Sequence, residues 1–212
     1  MSGPLLTLLS QGLRFWLASV CTKLEKLELQ LDGSALDLIG GRLEGAKLKA
    51  EGVVFQGLSI AAVELESEMI TFNAAGLLKG RNLEFKQRFR IYGNVKFNEE
   101  GLTKSLQNPY WRNFSNDLAS TLLSNQELKA YEIKDQELQL IGNKGKSICC
   151  YLKLINDELY LQHSTKLPGI SLENLIKIPL DPAIKIENIA IDNKELILVG
   201  NSLVSAGAAK SK

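Results

Sequence analysis

Between Leu83 and Phe97 apolar residues fall at every second position but two, and no other feature restricts the fold as much. Leu83, Phe85, Phe89, Ile91, Val95 and Phe97 fall on one face, with Gln87 and Gly93 in the gaps. Glu84, Lys86, Arg88, Arg90, Tyr92, Asn94 and Lys96 fall on the other. A period of two belongs to a strand with one buried face. At about 3.3 Å per residue such a strand runs roughly 50 Å, well beyond the usual length. Gly93 marks a bend within it. A strand this long and this one-sided is expected to curve, in a sheet that wraps around something.

The alternation continues elsewhere. Ala46, Leu48 and Ala50 alternate with Lys47, Lys49 and Glu51, and the same phase recurs at Leu58, Ile60 and Ala62. It slips to Val63 and Leu65 and again to Ile70 and Phe72, which predicts strand, break, strand over 46–73 with an irregularity at 61–63. A short signature recurs at 35–40 (ALDLIG), 137–142 (ELQLIG), 158–163 (ELYLQH) and 195–200 (ELILVG). Each follows a polar turn: Asp32-Gly33, Asp135-Gln136, Asn156-Asp157 and Asp192-Asn193. This is the pattern of strands entered from tight turns. The chain 141–147 (IGNKGKS) reads as a hairpin turn rather than a phosphate-binding loop, because a strand pattern and not a helix follows it. Pro168-Gly169 and 179–182 (PLDP) mark loops, with a short helix at 171–177.

Helical spacing appears in three places. Leu6, Leu9, Leu13, Trp16, Val20, Leu24 and Leu27 recur at three- and four-residue steps, an amphipathic helix. Its polar face carries few cations, so docking on the domain is favoured over resting on a membrane surface. Asn98 caps a short helix that holds Leu102 and Leu106 on one side. Asn108-Pro109 starts another, with proline at its first position, and Trp111, Phe114, Leu118 and Leu122 lie on one stripe of it.

Composition excludes much chemistry. A net charge of +1 argues against a nucleic-acid binder. One histidine, His163, rules out a histidine metal cluster, and the three cysteines (Cys21, Cys149, Cys150) form no C-x-x-C pair, so neither a zinc site nor a redox motif is supported. An odd count without spacing suits a reducing compartment. The segment 4–20 is too short and too polar to span a bilayer and lacks the features of a signal peptide, which places the chain in the cytoplasm or at the periphery of a membrane. Glu64, Glu66 and Glu68 share one strand face, but no converging acidic cluster accompanies them. The expectation is that they face Lys86, Arg88 and Arg90 across neighbouring strands, each pair worth roughly 0.2–1 kcal/mol. Those three cations are also candidate contacts for an anionic lipid head group. No enzyme signature emerges, and no metal or cofactor is expected.

The run 40–73 (GGRLEGAKLKAEGVVFQGLSIAAVELESEMITFN) resembles the core of the LmeA-like phospholipid-binding family, with Gly45, Gly57-Leu58 and Val63-Glu64-Leu65 on the family pattern. Asn98, Glu99, Leu102 and Leu106 fit the helix that follows in that family, whereas Gly101 and Thr103 stand where the pattern has Asp and Asn. The resemblance implies a relative of tubular lipid-binding folds, a curved antiparallel sheet around a helix with an apolar groove. The resulting expectation is an α+β fold: an N-terminal amphipathic helix over 1–28, one domain over 29–204 and a flexible tail over 205–212. Its function is non-catalytic binding of a phospholipid or other membrane lipid as carrier or sensor, with Trp16, Leu58, Ile60, Phe85, Phe89, Trp111, Phe114 and Leu118 lining the groove. The alternative is a protein-interaction scaffold or assembly factor at a membrane surface.

Overall fold

Four two-residue turns organise the strands. Gln56-Gly57, Asp135-Gln136, Asn156-Asp157 and Asn193-Lys194 all hold both residues at positive φ, between 47° and 84°. That backbone is what two-residue hairpins with the natural strand twist require. In the computed structural model, which describes residues 4–163 and 175–208, these turns join β4 (Gly45–Phe55) to β5 (Leu58–Ser67) and β9 (Leu128–Lys134) to β10 (Glu137–Gly142). They also join β11 (Ser147–Ile155) to β12 (Glu158–His163) and β14 (Ile184–Asp192) to β15 (Glu195–Val204).

The protein is α+β and mostly antiparallel sheet. A seven-stranded sheet has the open order β1 (Cys21–Lys23), β4, β5, β8 (Phe89–Asn98), β15, β14, with β2 (Lys26–Asp32) also paired to β4. A five-stranded sheet runs β13 (Leu175–Lys177), β12, β11, β10, β9. Two small ribbons pair β3 (Arg42–Leu43) with β6 (Ile70–Thr71) and β7 (Glu84–Phe85) with β16 (Gly207–Ala208).

The chain divides into two compact units. The first comprises 1–55, 62–94 and 201–212; the second comprises 56–61 and 95–200. Strands β5, β8 and β15 give part of their length to each. The core of the first unit gathers Leu5, Leu9 and Leu13 of α1 (Pro4–Val20) with Leu43, Ile70, Phe72, Leu83, Phe85 and Phe89. Two short helices complete it, α2 (Ala35–Ile39) and α3 (Ala74–Leu78). The core of the second unit packs Leu106 of α4 (Glu99–Gln107) and Leu118 and Leu122 of α5 (Arg112–Leu122) with Tyr131, Ile133, Leu138, Leu140, Cys150, Leu159 and Leu161. A 3₁₀ turn, Pro109–Trp111, leads into α5 with Pro109 at its start. Burial pushes the Cys150 thiol up to about 12. The same cause raises the Tyr131 hydroxyl well above its ordinary value.

Several sequence expectations change. The segment 35–40 is not a strand: the Ser34 hydroxyl accepts from Asp37 N–H and caps α2. The alternation over 83–97 is not one strand, because residues 86–88 bend between β7 and β8 while the apolar phase carries across the bend. The phase slip at 61–63 is not a break in β5, which runs through it. The slip falls where the strand passes from one unit to the other, and the break lies at Gln56-Gly57 instead. The N-terminal helix stops at Val20, and Leu27 belongs to β2. Residues 175–177 are strand β13, and the rest of the expected helix over 171–177 lies outside the described residues, as does Pro168-Gly169. In the expected tail, Gly207 and Ala208 pair with Phe85 and Glu84.

Candidate functional site

Helix α1 has two apolar stripes, and only one is used by the core. Leu5, Leu9 and Leu13 are buried, and Leu6 and Trp16 pack beside them. Leu8 and Phe15, seven residues apart and therefore on one helix face, are 36% and 67% exposed. Together with Gln11, Gly12 and Trp16 they form one wall of a cleft of about 260 Å³. The opposite wall is Leu77 of α3 and the segment Gly80, Arg81, Asn82 and Leu83. At Gly12 the two walls approach closely: a Cβ there would sit 3.6 Å from Leu83 Cβ and 3.7 Å from Leu77 Cδ1, ordinary contact distances. Trp16 is fixed from behind by Phe85, ring centroids 5.7 Å apart and nearly perpendicular, and Phe85 stands edge-on to Phe89 at 5.1 Å.

The cations of this unit are unevenly spent. Glu64 and Glu66 pair with Lys49 (3.1 Å) and Lys47 (3.3 Å) of β4, not with the arginines of 86–90 as the alternation suggested. The hairpin β4–β5 sets these neighbours, and the bend at 86–88 removes Lys86 and Arg88 from the ladder. Glu68 accepts instead from Arg90 N–H and from the Tyr92 hydroxyl, and the Arg90 guanidinium donates to Asn201 Oδ1. Lys79, Arg81, Lys86 and Arg88 are exposed and take part in no ion pair among the described residues.

Of the eight apolar residues expected to line a groove, Trp16, Phe85 and Phe89 belong to the first unit, and Leu58, Ile60, Trp111, Phe114 and Leu118 to the second. Phe85, Phe89, Trp111 and Leu118 are buried. Leu58, Ile60 and Phe114 are half-buried against the second unit's core. Trp111 donates its indole N–H to the Gln56 carbonyl (2.9 Å) and stands edge-on to Phe114. Only Trp16 lines the cleft. Sequence reasoning missed Leu8, Phe15, Leu77, Arg81 and Leu83 there. The signal was the Leu8–Phe15 spacing of seven, and Asn73 followed by an apolar run, which caps α3 by accepting from Gly76 N–H.

A family model described as LmeA-like phospholipid-binding matches residues 2–201. The chain belongs to the LmeA-like phospholipid-binding family. No curated protein and no solved structure matches it. In this LmeA-like chain the helix that carries the family pattern does structural work. Asn98 caps α4 by accepting from Gly101 N–H. Glu99 Oε1 accepts from Ile133 N–H (2.7 Å) and Thr103 Oγ1 from Tyr131 N–H (3.1 Å). These two side chains thereby satisfy donors on β9, the edge of the five-stranded sheet. Gly101 lets α4 lie directly on β5, where a Cβ would come within 2.6 Å of the Ser59 carbonyl oxygen. Ser105 then accepts from Ser59 N–H and donates to the Gly101 carbonyl. Among the described residues no helix is long and apolar enough to cross a membrane.

Proposed function

We propose that this LmeA-like protein binds a single phospholipid without chemistry, as a reversible carrier or sensor, and that the cleft between α1 and residues 77–83 takes part of an acyl chain. The observation that carries the reading is family membership over residues 2–201. The cleft supports it: its walls include Leu8, Phe15, Trp16, Leu77 and Leu83, and Arg81, a cation suited to a phosphate, lines it as well. A volume of about 260 Å³ falls just below the roughly 300–1,000 Å³ of sites that enclose a drug-sized ligand, so it suits a segment of a chain rather than a whole lipid. Burying eight to ten methylenes yields roughly 6–8 kcal/mol gross. Immobilisation removes much of that, which leaves an exchangeable ligand.

Trp16 is the contact residue in this reading, with Phe85 and Phe89 as the layer behind it. Lys86 and Arg88 remain head-group contacts, whereas Arg90 is already held by Asn201. The strongly curved, helix-wrapping sheet implied by the family resemblance belongs to the same reading, and the antiparallel α+β framework supports it. Native mass spectrometry of the purified full chain tests the proposal. Retained phospholipid, lost in Gly12→Leu, which adds side-chain bulk at the cleft wall, is the expected result. A lipid-free protein that takes up no phospholipid from vesicles overturns it.

A further inference from the structure

We infer that the outer face of the three helices of the first unit docks on the surface of an anionic phospholipid bilayer. This is separate from the capture of one lipid in the cleft. The three helices are neighbours: α1 packs against both α2 and α3. The residue after α2's cap, Gly41, accepts from Phe72 N–H, immediately before α3. Their buried sides are accounted for by Leu9, Leu38 and Leu77. Their outer sides are not. Leu36 is 82% exposed, Ile39 and Phe15 67%, and Leu78 56%.

Single exposed leucines are ordinary, but several large apolar side chains on adjoining helices mark a surface that meets something apolar. The flanking charge says what that is. Lys79 and Arg81 follow Leu78 within three residues and Lys86 and Arg88 come a few residues later; the one acid between them, Glu84, accepts from Asn73, and none of the four cations is in an ion pair among the described residues. Arg81 lines the same cleft as Leu8 and Phe15, so cation and apolar surface meet in one place. Apolar side chains at the acyl boundary with cations at head-group level are the requirements of an interfacial helix surface. A second copy of the chain fits less well, because a two-fold contact sets each patch against itself and brings these cations together.

The test is co-sedimentation of the full chain with vesicles of phosphatidylcholine alone and of phosphatidylcholine with phosphatidylglycerol. Binding to the anionic vesicles, weakened by salt, is expected. Lys79→Glu with Arg81→Glu lowers partitioning by at least on the order of 25-fold, roughly fivefold for each cation removed. Leu36→Ser with Ile39→Ser lowers it by on the order of 10-fold or more; both side chains point into solvent, so the fold is unaffected. Equal binding to both vesicle types, or variants that bind like the parent, overturns the inference. So does a dimer in size-exclusion chromatography that Leu36→Ser with Ile39→Ser disperses. A parent protein that binds no anionic vesicles yet retains lipid in native mass spectra defeats this inference alone; docking without retained lipid defeats the single-lipid reading alone.

Discussion

The two units treat their helices in opposite ways. In the second, α4 and α5 turn their apolar stripes inward, and even the polar side chains Glu99 and Thr103 are used to satisfy the edge strand β9. In the first, α1, α2 and α3 bury one side and leave Phe15, Leu36, Ile39 and Leu78 in water. Of the eleven large apolar side chains exposed among the described residues, only Tyr110, Tyr151 and Leu154 belong to the second unit. A helix that leaves leucine and phenylalanine in solvent lacks a partner, and a helix with no such residues has found one. The second unit therefore leaves few large apolar side chains in water, and the first carries the surface proposed above to meet lipid.

This contrast can be broken by mutation. Leu118 is fully buried, so Leu118→Ala should cost about 2–5 kcal/mol in denaturant unfolding. Gly101→Ala should cost about 1–3 kcal/mol, since its Cβ meets the Ser59 backbone rather than a movable side chain. It should also raise hydrogen exchange at Tyr131 and Ile133, whose N–H groups depend on α4.

Alkaline pH offers a third test. The folded protein holds the Cys150 thiol proton up to about pH 12, whereas the unfolded chain releases it near the reference value of 9.0. Below pH 9 both states are protonated, and stability is unaffected by this group. Between 9 and 12 the unfolded state binds fewer protons, so stability falls, by at most about 1.4 kcal/mol per pH unit. Cys150→Ala should flatten that part of the profile in thermal melts. The smallest effect belongs to the first unit: Leu36→Ser with Ile39→Ser should shift stability by no more than about 0.5 kcal/mol per residue. A loss comparable to Leu118→Ala would mean these side chains are core, and the contrast would fail.

The hairpins were legible because their turn dipeptides carry the backbone chemistry themselves. Asp135-Gln136 and Asn156-Asp157 were read at their true positions, and Asn193-Lys194 one residue early. The segment 35–40 looked like the other Leu-x-Leu strands because five residues are too few for periodicity to separate strand from helix; the Ser34 cap decides it. The alternation over 83–97 hid the bend at 86–88 because the apolar phase is preserved on both sides. In β5 a slip that reads as an irregularity marks a change of unit along an unbroken strand. Trp16, which lines the cleft, lies on the helical stripe that the spacing shows. Leu8 and Phe15 do not, since a second, unused stripe looks like noise beside the Leu6–Leu9–Leu13 stripe, and Arg81 shows only as part of a local basic excess.

The chain has two tryptophans, and one lies in each unit. Trp16 lines the cleft; Trp111 is buried with its N–H on Gln56. Fluorescence quenching by phospholipids brominated in the acyl chain, measured on Trp111→Phe and on Trp16→Phe, therefore reports where the lipid goes. Strong quenching of Trp16 with little effect on Trp111 is the predicted result. Quenching of Trp111 instead would move the lipid to Leu58, Ile60, Phe114 and Leu118, and quenching of neither would contradict lipid binding at the cleft.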